Sequence, residues 1–229
     1  VLGSSGRTGS RLVEAVGRHP LCSPAAALDL RTADGRAVLK DLAAALPAAD
    51  VVIDFTSPAA SVRHAALCAR HKKPIVIGTT GFSSGQLARI REFSKKTPVF
   101  LSPNMSPAVN LSMAVARLMA ARLRDFDIHI SEAHHKAKKD APSGTALKYK
   151  ERIREVHAGP VAVSSIRAGD IVGEHAVLFA GPHERLELVH RAHSRDVFAA
   201  GALRAALWLK GKRPGLYDYF DLLALGDIR

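Results

Sequence analysis

Short apolar runs alternate with helical periodicities through the first hundred residues. Val51-Val52-Ile53-Asp54-Phe55, Ile75-Val76-Ile77 and Val99-Phe100-Leu101 have the composition of buried strands. After the first run, Ser57 offers an N-cap with Pro58 at the first helical position. The helix this predicts runs to about His71, with Val62, Ala65, Ala66 and Ala69 on one face, and Lys72-Lys73-Pro74 ends it. A further helix starts near Ser84 and carries Leu87 and Ile90. Strand, loop and helix in repetition predict parallel strands with crossover helices. Such sheets bind ligands beyond the carboxyl ends of their strands, so the loops at 3–8, 54–58, 78–81 and 102–105 share a ligand edge. Residues 1–104 read as a nucleotide-binding domain.

The earliest of these loops is Gly3-Ser4-Ser5-Gly6-Arg7-Thr8-Gly9, followed by a helical pattern with Leu12, Val13 and Val16 that ends near His19-Pro20. Small residues let backbone N–H groups approach a pyrophosphate at a helix N-terminus. The spacing is a variant of the dinucleotide fingerprint, and an ordinary glycine turn is its plain alternative. Only Val1 and Leu2 precede it, fewer than a full strand needs, so residues ahead of Val1 are expected. Ala25 to Asp29 reads as a second strand ending in an acid. Asp29 lies where an acid can bind an adenosine ribose, with a capping role as the alternative. Thr32 to Gly35 reads as a turn and Leu39 to Leu46 as a short helix.

The character changes after residue 104. Residues 108–124 predict a long helix with Leu111, Val115, Leu118 and Met119 toward a core. Phe126, Ile128 and Ile130 alternate with Asp127, His129 and Ser131, the signature of a half-buried strand in a mixed or antiparallel sheet. A helix is predicted from Gly144 to about His157, with Ala146, Tyr149, Ile153 and Val156 on one face. Strands are predicted at 161–166, 175–179 and 185–191, giving a second, open-sheet domain over 105–195. Asp196 to Lys210 is helical, with Val197, Ala200, Leu203, Ala206 and Leu207 inward. Lys210 to Gly215 reads as a turn and Tyr217 to Leu225 as a final helix. The tail 196–229 is expected to return to the first domain.

Between strand and helix in the second domain lies Glu132 to Ala146, where positions 134–139 hold two histidines and three lysines. The cations run into a helix start at Ser143-Gly144-Thr145. A helix N-terminus attracts anions, and imidazole and ammonium groups can donate protons. This predicts a site for a small polyanion with acid chemistry. Glu132 reads as structural, orienting the loop; Lys136 and Lys139 read as solvated; His64, His71, His183 and His193 carry no supporting pattern.

The formal charge of +12 raises nucleic acid or an anionic membrane as partners. The basic residues are dispersed, and aromatics at 5% are too few for stacking platforms, so neither is expected. No apolar run approaches the roughly 18 residues of a membrane span. Cys22 and Cys68 suggest neither a metal site nor a disulfide framework, which fits a reducing, cytoplasmic setting.

These pieces together resemble the 4-hydroxy-tetrahydrodipicolinate reductase family, NAD(P)H-dependent enzymes of the diaminopimelate route to lysine. The matching segments are Gly3–Gly9, Val52–Thr56, Ile77–Phe82, Pro103–Ser106, Glu132–Ala146, Arg167–His175 and Ala206–Leu209, in the family's order over nearly the whole chain. The resemblance implies a Rossmann-like domain, a mixed α/β substrate and oligomerisation domain, and a homotetramer built through the second sheet. Carried over by position, His134 is the catalytic histidine and Lys138 the proton-donating lysine. His135, Ser143, Gly144 and Thr145 contact a carboxylate of a small dicarboxylate substrate. Gly3, Ser4, Ser5, Gly6, Arg7 and Thr8 hold the pyrophosphate of NADH or NADPH, and Asp29 takes the ribose. Gly78, Thr79, Thr80, Ser102, Pro103, Asn104 and Met105 line the nicotinamide end.

The sequence departs from the family pattern at Thr8, where methionine is common, and at Met105, where phenylalanine is common. The stretches after Asp29 and between Glu151 and Val163 are shorter than usual. Arg7, Arg31 and Arg36 are the candidates for a 2′-phosphate. Loss of water would give a conjugated imine that accepts hydride, with His134 or Lys138 supplying the following proton and domain closure excluding water. The competing readings are another two-domain reductase of a small dicarboxylate or amino acid, a basic nucleic-acid-binding protein, and a non-catalytic cofactor-binding protein.

Overall fold

The computed structural model describes residues 1–29 and 41–226. They form two compact units. One comprises Val1–Met105 with Asp196–Leu222, the other Ser106–Arg195 with the residues from Leu223.

The first unit is built on a parallel sheet of β1 (Val52–Asp54), β2 (Ile75–Ile77), β3 (Pro98–Leu101) and β8 (Gly215–Tyr217), in that order. Leu2 extends it as a single bridge to Asp54 and to Leu28. The segment expected as a second strand is therefore only a bridge at Leu28. Gly3 turns the chain away at φ +76°, and its N–H and that of Ser4 both go to the Leu28 carbonyl, so pairing stops there. The strands are apolar on both faces, as a sheet covered twice must be. Val52, Ile75, Ile77 and Val99 pack with Val62, Ala65 and Cys68 of α2 (Pro58–Arg70) and Ile90 of α3 (Ser84–Ser94). Across the sheet, Phe100 meets Trp208 and Tyr219 edge-on. There α6 (Asp196–Leu209) lies against the strands and beside α1 (Gly9–Arg18).

Several expected faces turn out rotated. Leu87 of α3 and Leu207 and Ala200 of α6 are exposed, while α6 buries Ala199, Ala202, Leu203, Ala205, Ala206 and Leu209. Small residues let α6 lie close to the backbone. A Cβ on Gly201 would fall 1.7 Å from the Met105 carbonyl oxygen. The stretch read as a turn and one helix contains β8, followed by a single-turn helix α7 (Tyr219–Leu222). Residues 41–45 are helical and run into a 3₁₀ turn at Leu46–Ala48. Leu39, Arg31, Arg36 and the turn at 32–35 lie outside the described residues.

The second unit is a mixed sheet ordered β5 (Val161–Arg167), β4 (Asp127–His134), β6 (Glu174–Ala180), β7 (Arg185–Arg191). β4 pairs parallel to β5 and antiparallel to β6. One face carries α4 (Pro107–Arg122) and α5 (Gly144–Arg154). The helix α4 turns mostly small residues inward together with Met113, burying Val109, Asn110, Ser112, Met113, Ala114, Ala116 and Ala120, and leaves Leu111 and Leu118 exposed. Its expected apolar face is thus not its buried one, because close packing on α5 selects small side chains. Ser112 hydrogen-bonds the Tyr149 hydroxyl across that contact. The assembly is α/β, a Rossmann-like parallel sheet unit and a mixed-sheet unit. No described helix is long and apolar enough to cross a membrane.

Candidate functional site

Two sites emerge, one per unit. In the first unit the glycine loop, the β1 loop and the β2 loop meet at the carboxyl edge of the parallel sheet. Leu2 N–H bonds Ile53, Phe55 N–H bonds Leu2 and Gly78 N–H bonds Asp54, each through a backbone carbonyl. The glycines are demanded by close approach. A Cβ on Gly3 would sit 2.4 Å from the Phe55 carbonyl oxygen, and one on Gly9 1.9 Å from that of Gly3. Gly78 lies against the Phe55 ring in the same way. Thr8 is the N-cap of α1 and makes no side-chain capping bond; in the first turn the Ser10 N–H bonds the Gly6 carbonyl. Ser4, Ser5, Gly6 and Arg7 complete the loop, with Ser5 and Arg7 exposed. Asp29 accepts the Ser5 N–H at 2.7 Å and the Ser5 hydroxyl, which puts its carboxylate against the loop. A tight, small-residue loop, an uncapped helix N-terminus and a flanking acid fit a dinucleotide's pyrophosphate and ribose.

The next two loops are braced from beneath. Asp54 accepts the Thr56 N–H and hydroxyl at 2.9 and 2.6 Å, and His64 of α2 bonds its other oxygen. Thr79 Oγ1 accepts from the Thr56 N–H at 3.1 Å and from the Ser61 hydroxyl at 2.8 Å. Thr79 is buried and Thr80 exposed. Ser102, buried, donates its hydroxyl to the Asn104 carbonyl at 2.7 Å, while Pro103 is exposed. Met105 is buried and its carbonyl accepts the Tyr219 hydroxyl at 2.8 Å. Asp54, Ser61, His64 and Tyr219 were not among the expected site residues. The acid at the end of a strand, followed by Phe-Thr-Ser-Pro, was the available signal for Asp54.

In the second unit the chemistry gathers at the end of β4. Alternation that buries Ile128 and Ile130 continues to Glu132 and His134, which are also buried. His134 Nδ1 and Glu132 Oε2 lie 2.5 Å apart. Arg167 of β5 forks onto both Glu132 oxygens at 2.7 and 2.9 Å, and the Ser143 N–H adds a bond at 3.1 Å. Burial pushes the Glu132 carboxyl up, but Arg167, Ser165, His134 and Ser143 outweigh it and hold it at about 2. Burial lowers the His134 pKa, with Lys138 and Arg167 adding to that and Glu132 opposing it.

The loop then brings Lys138 onto Asp140, with Nζ 2.7 and 2.8 Å from the two oxygens. Lys138 N–H bonds the His135 carbonyl, and His135 is half-buried. Ser143 caps α5, its hydroxyl accepting from the Ala146 N–H. Gly144 is exposed and Thr145 half-buried in the first turn. The Gly144 N–H bonds the Asp140 carboxylate, which these partners hold below its usual range although burial opposes them. His134, His135, Lys138, Ser143, Gly144 and Thr145 thus share one loop and helix start. Arg167, Gly173 and His175 lie in a segment the sequence singled out, Arg167–His175, but were given no role there. His175 sits edge-on to His134 at 5.3 Å between ring centres, and its pKa is pushed down to about 3 by burial and neighbouring positive charge. Among the described residues no group of three or more His, Cys, Asp or Glu side chains is arranged to hold a metal ion.

Comparison with known proteins matches residues 1–105 to the family described as dihydrodipicolinate reductase, N-terminus, and residues 108–223 to dihydrodipicolinate reductase, C-terminus. The chain is 46% identical to a 4-hydroxy-tetrahydrodipicolinate reductase from Aquifex aeolicus, over 98% of each. It is 44% identical to one from Anaeromyxobacter dehalogenans, over 98% of this chain and 97% of the relative. In fold it is similar to a dipicolinate-bound dihydrodipicolinate reductase from Paenisporosarcina sp. TG-14, with TM-score 0.79 and 24% identity over 97% of each chain. With both of its halves matched in order, the chain belongs to the dihydrodipicolinate reductase family.

Proposed function

We propose that the protein reduces 4-hydroxy-tetrahydrodipicolinate to tetrahydrodipicolinate with loss of water, using NADH or NADPH, in the diaminopimelate route to lysine. The observation that carries this reading is the end of β4, where a carboxylate-bound imidazole, an ammonium and a helix N-terminus converge on one loop. A cyclic dicarboxylate supplies the two negative charges such a loop is built to meet.

Gly3 to Thr8 would hold the pyrophosphate and Asp29 the ribose, with Gly78 to Thr80 and Ser102 to Met105 at the nicotinamide. When bound, the nicotinamide supplies a hydride to the carbon–carbon end of the conjugated imine that loss of water leaves. The chain's own groups do the rest. His135, Gly144 and Thr145 orient a carboxylate, Lys138 offsets charge, and His134 or Lys138 delivers a proton to the carbon that hydride addition leaves with the electron pair. Asp29 favours ribose hydroxyls, whereas Arg7 favours a 2′-phosphate, so both nucleotides belong in the assay.

The deciding experiment follows oxidation of NADH and of NADPH with enzymatically generated substrate, and adds 2,6-pyridinedicarboxylate as a competing dianion. Turnover with competition is expected. Lys138→Ala should lower turnover by roughly 100-fold or more while nucleotide binding persists. Near-parent turnover in that variant overturns the role of Lys138, and no turnover in the parent overturns the activity.

A homotetramer through the second sheet is part of the same proposal. The sheet face opposite α4 and α5 carries exposed Ala162, Ile166 and Val189 beside His129. Sedimentation of the parent and of Ile166→Glu tests it; a parent monomer overturns it. Cys22 and Cys68 as free thiols suit the cytoplasm.

A further inference from the structure

We infer that Glu132 and Gly173 together make Nε2 of His134 the atom through which the site delivers its proton. Glu132 engages the opposite ring nitrogen, and Gly173 leaves Nε2 uncovered. This deepens the dicarboxylate-reductase reading and rests on it.

Glu132 is buried on the inward phase of β4, two residues before His134. Its oxygens already accept from Arg167 and from the Ser143 backbone, and Oε2 faces His134 Nδ1 at 2.5 Å. An ionised carboxylate only accepts hydrogen bonds. A lone pair on Nδ1 at that distance would face carboxylate lone pairs, so Nδ1 must carry the hydrogen. The neutral ring then has its lone pair on Nε2, and proton uptake and release take place there. Arg167 keeps the carboxylate ionised and stops it turning, since both of its oxygens are engaged by the guanidinium fork. The groups facing the ring are Glu132 from its own strand, Arg167 from β5, His175 from β6 and Lys138 from the loop.

Gly173 supplies the second half. A Cβ there would lie 3.1 Å from Nε2 and 3.4 Å from Cδ2. Gly173 is buried but is not among the glycines with positive φ, so its backbone does not call for glycine. What calls for it is the space beside the ring nitrogen. In the step itself, the Nε2–H bond of the imidazolium breaks and a C–H bond forms at the substrate carbon holding the electron pair left by hydride addition. The ring returns to neutral with its Nδ1–H still on Glu132, and water reprotonates Nε2. Glu132 and Gly173 are positioning residues here, since neither touches the reacting carbon.

Nuclear magnetic resonance of protein labelled with ¹⁵N-histidine reads the tautomer directly, with His134→Gln identifying the signal. The neutral ring of the parent is expected to be protonated at Nδ1, and Glu132→Gln should move it toward the Nε2–H form. In the same variant kcat should fall roughly 100-fold with the nucleotide KM held within about 2-fold. The alkaline limb of its kcat–pH profile should move to lower pH, because the protonated ring has lost its carboxylate. Gly173→Ala should lower kcat about 10-fold and keep the parent tautomer. A neutral parent ring protonated at Nε2 overturns the inference, as do parent-like kcat and pH profiles in both variants. Should Glu132→Gln fail to fold, the parent spectrum and Gly173→Ala decide the matter. The tautomer is read without turnover, so a parent that does not reduce the substrate overturns the activity and leaves the ring assignment to its own spectrum.

Discussion

His64 Nδ1 lies 2.9 Å from Asp54 Oδ2, and both side chains are withdrawn from water. The pair fastens α2 to the end of β1 beneath the loops proposed for the nucleotide. His64→Leu leaves one oxygen of a buried carboxylate without that partner, at a cost of about 1–3 kcal/mol. Urea unfolding should show this loss. Fluorescence titration should show nucleotide binding weakened several-fold, with 2,6-pyridinedicarboxylate binding unchanged. Equal weakening of both ligands would contradict the local role.

The close pass of α6 over Met105 makes a second prediction. Gly201→Ala drives a methyl group into the Met105 carbonyl and crowds the Tyr219 hydroxyl. Overpacking of this kind costs typically 1–3 kcal/mol, read as a lowered urea midpoint at constant m. The Ser102–Met105 loop should shift with it, raising the nucleotide KM more than the substrate KM.

Asp140 places a carboxylate on Lys138 and on the Gly144 N–H, two groups that a substrate carboxylate is proposed to use. It therefore competes with the substrate from within the chain. The pair is partly exposed and worth at most about 1 kcal/mol. Asp140→Asn should tighten 2,6-pyridinedicarboxylate binding by up to about 5-fold, measured by calorimetry at low salt. Weaker binding would show that Asp140 orients Lys138 for the ligand instead.

Acid stability should bear the mark of His175. Its folded pKa is pushed down to about 3 from 6.5, so below 6.5 the unfolded chain takes a proton the folded chain refuses. Its contribution to stability is whole above pH 6.5 and is lost as pH falls toward about 3. Glu132, held at about 2 against 4.5, adds a second loss as pH falls from 4.5 toward 2. Urea unfolding across pH 7 to 4 should show a shallower decline in His175→Asn than in the parent. An identical decline would mean that His175 is charged in the folded state.

The sequence patterns that located elements well were those set by local chemistry. Ile75–Ile77 is a strand as read, a helix starts at Ser84, Ser143 caps another, and the alternation through Ile128 and Ile130 is that of β4. What sequence patterns could not show was set by partners distant in the chain. β8 is three residues at the end of a glycine and proline turn signal and becomes a strand only because β3 offers its edge. The inward face of α4 is small because α5 presses on it, so its leucines misled.

The sites divide along the same line. Lys138, His134 and the Ser143 cap lie within ten residues of one another, and a single segment displayed them together. Arg167 reaches Glu132 only through the parallel register that sets it beside His134. His64 reaches Asp54 only because a helix folds back over its own strand. Glu132 was read as structural although it lay on the apolar phase, where a carboxylate requires a buried partner.

The discontinuity of the first unit sets an order of events on the ribosome. Its sheet lacks an edge strand until Gly215–Tyr217 has been made, and α6 arrives only after Arg195. Roughly 90 residues intervene, a delay of about 5–20 s at ordinary elongation rates. During that interval the first hundred residues leave the β3 edge unpaired and the apolar face around Phe100 bare. Chaperone demand should fall on the nascent first unit, while β4 through β7 can already pair as they emerge.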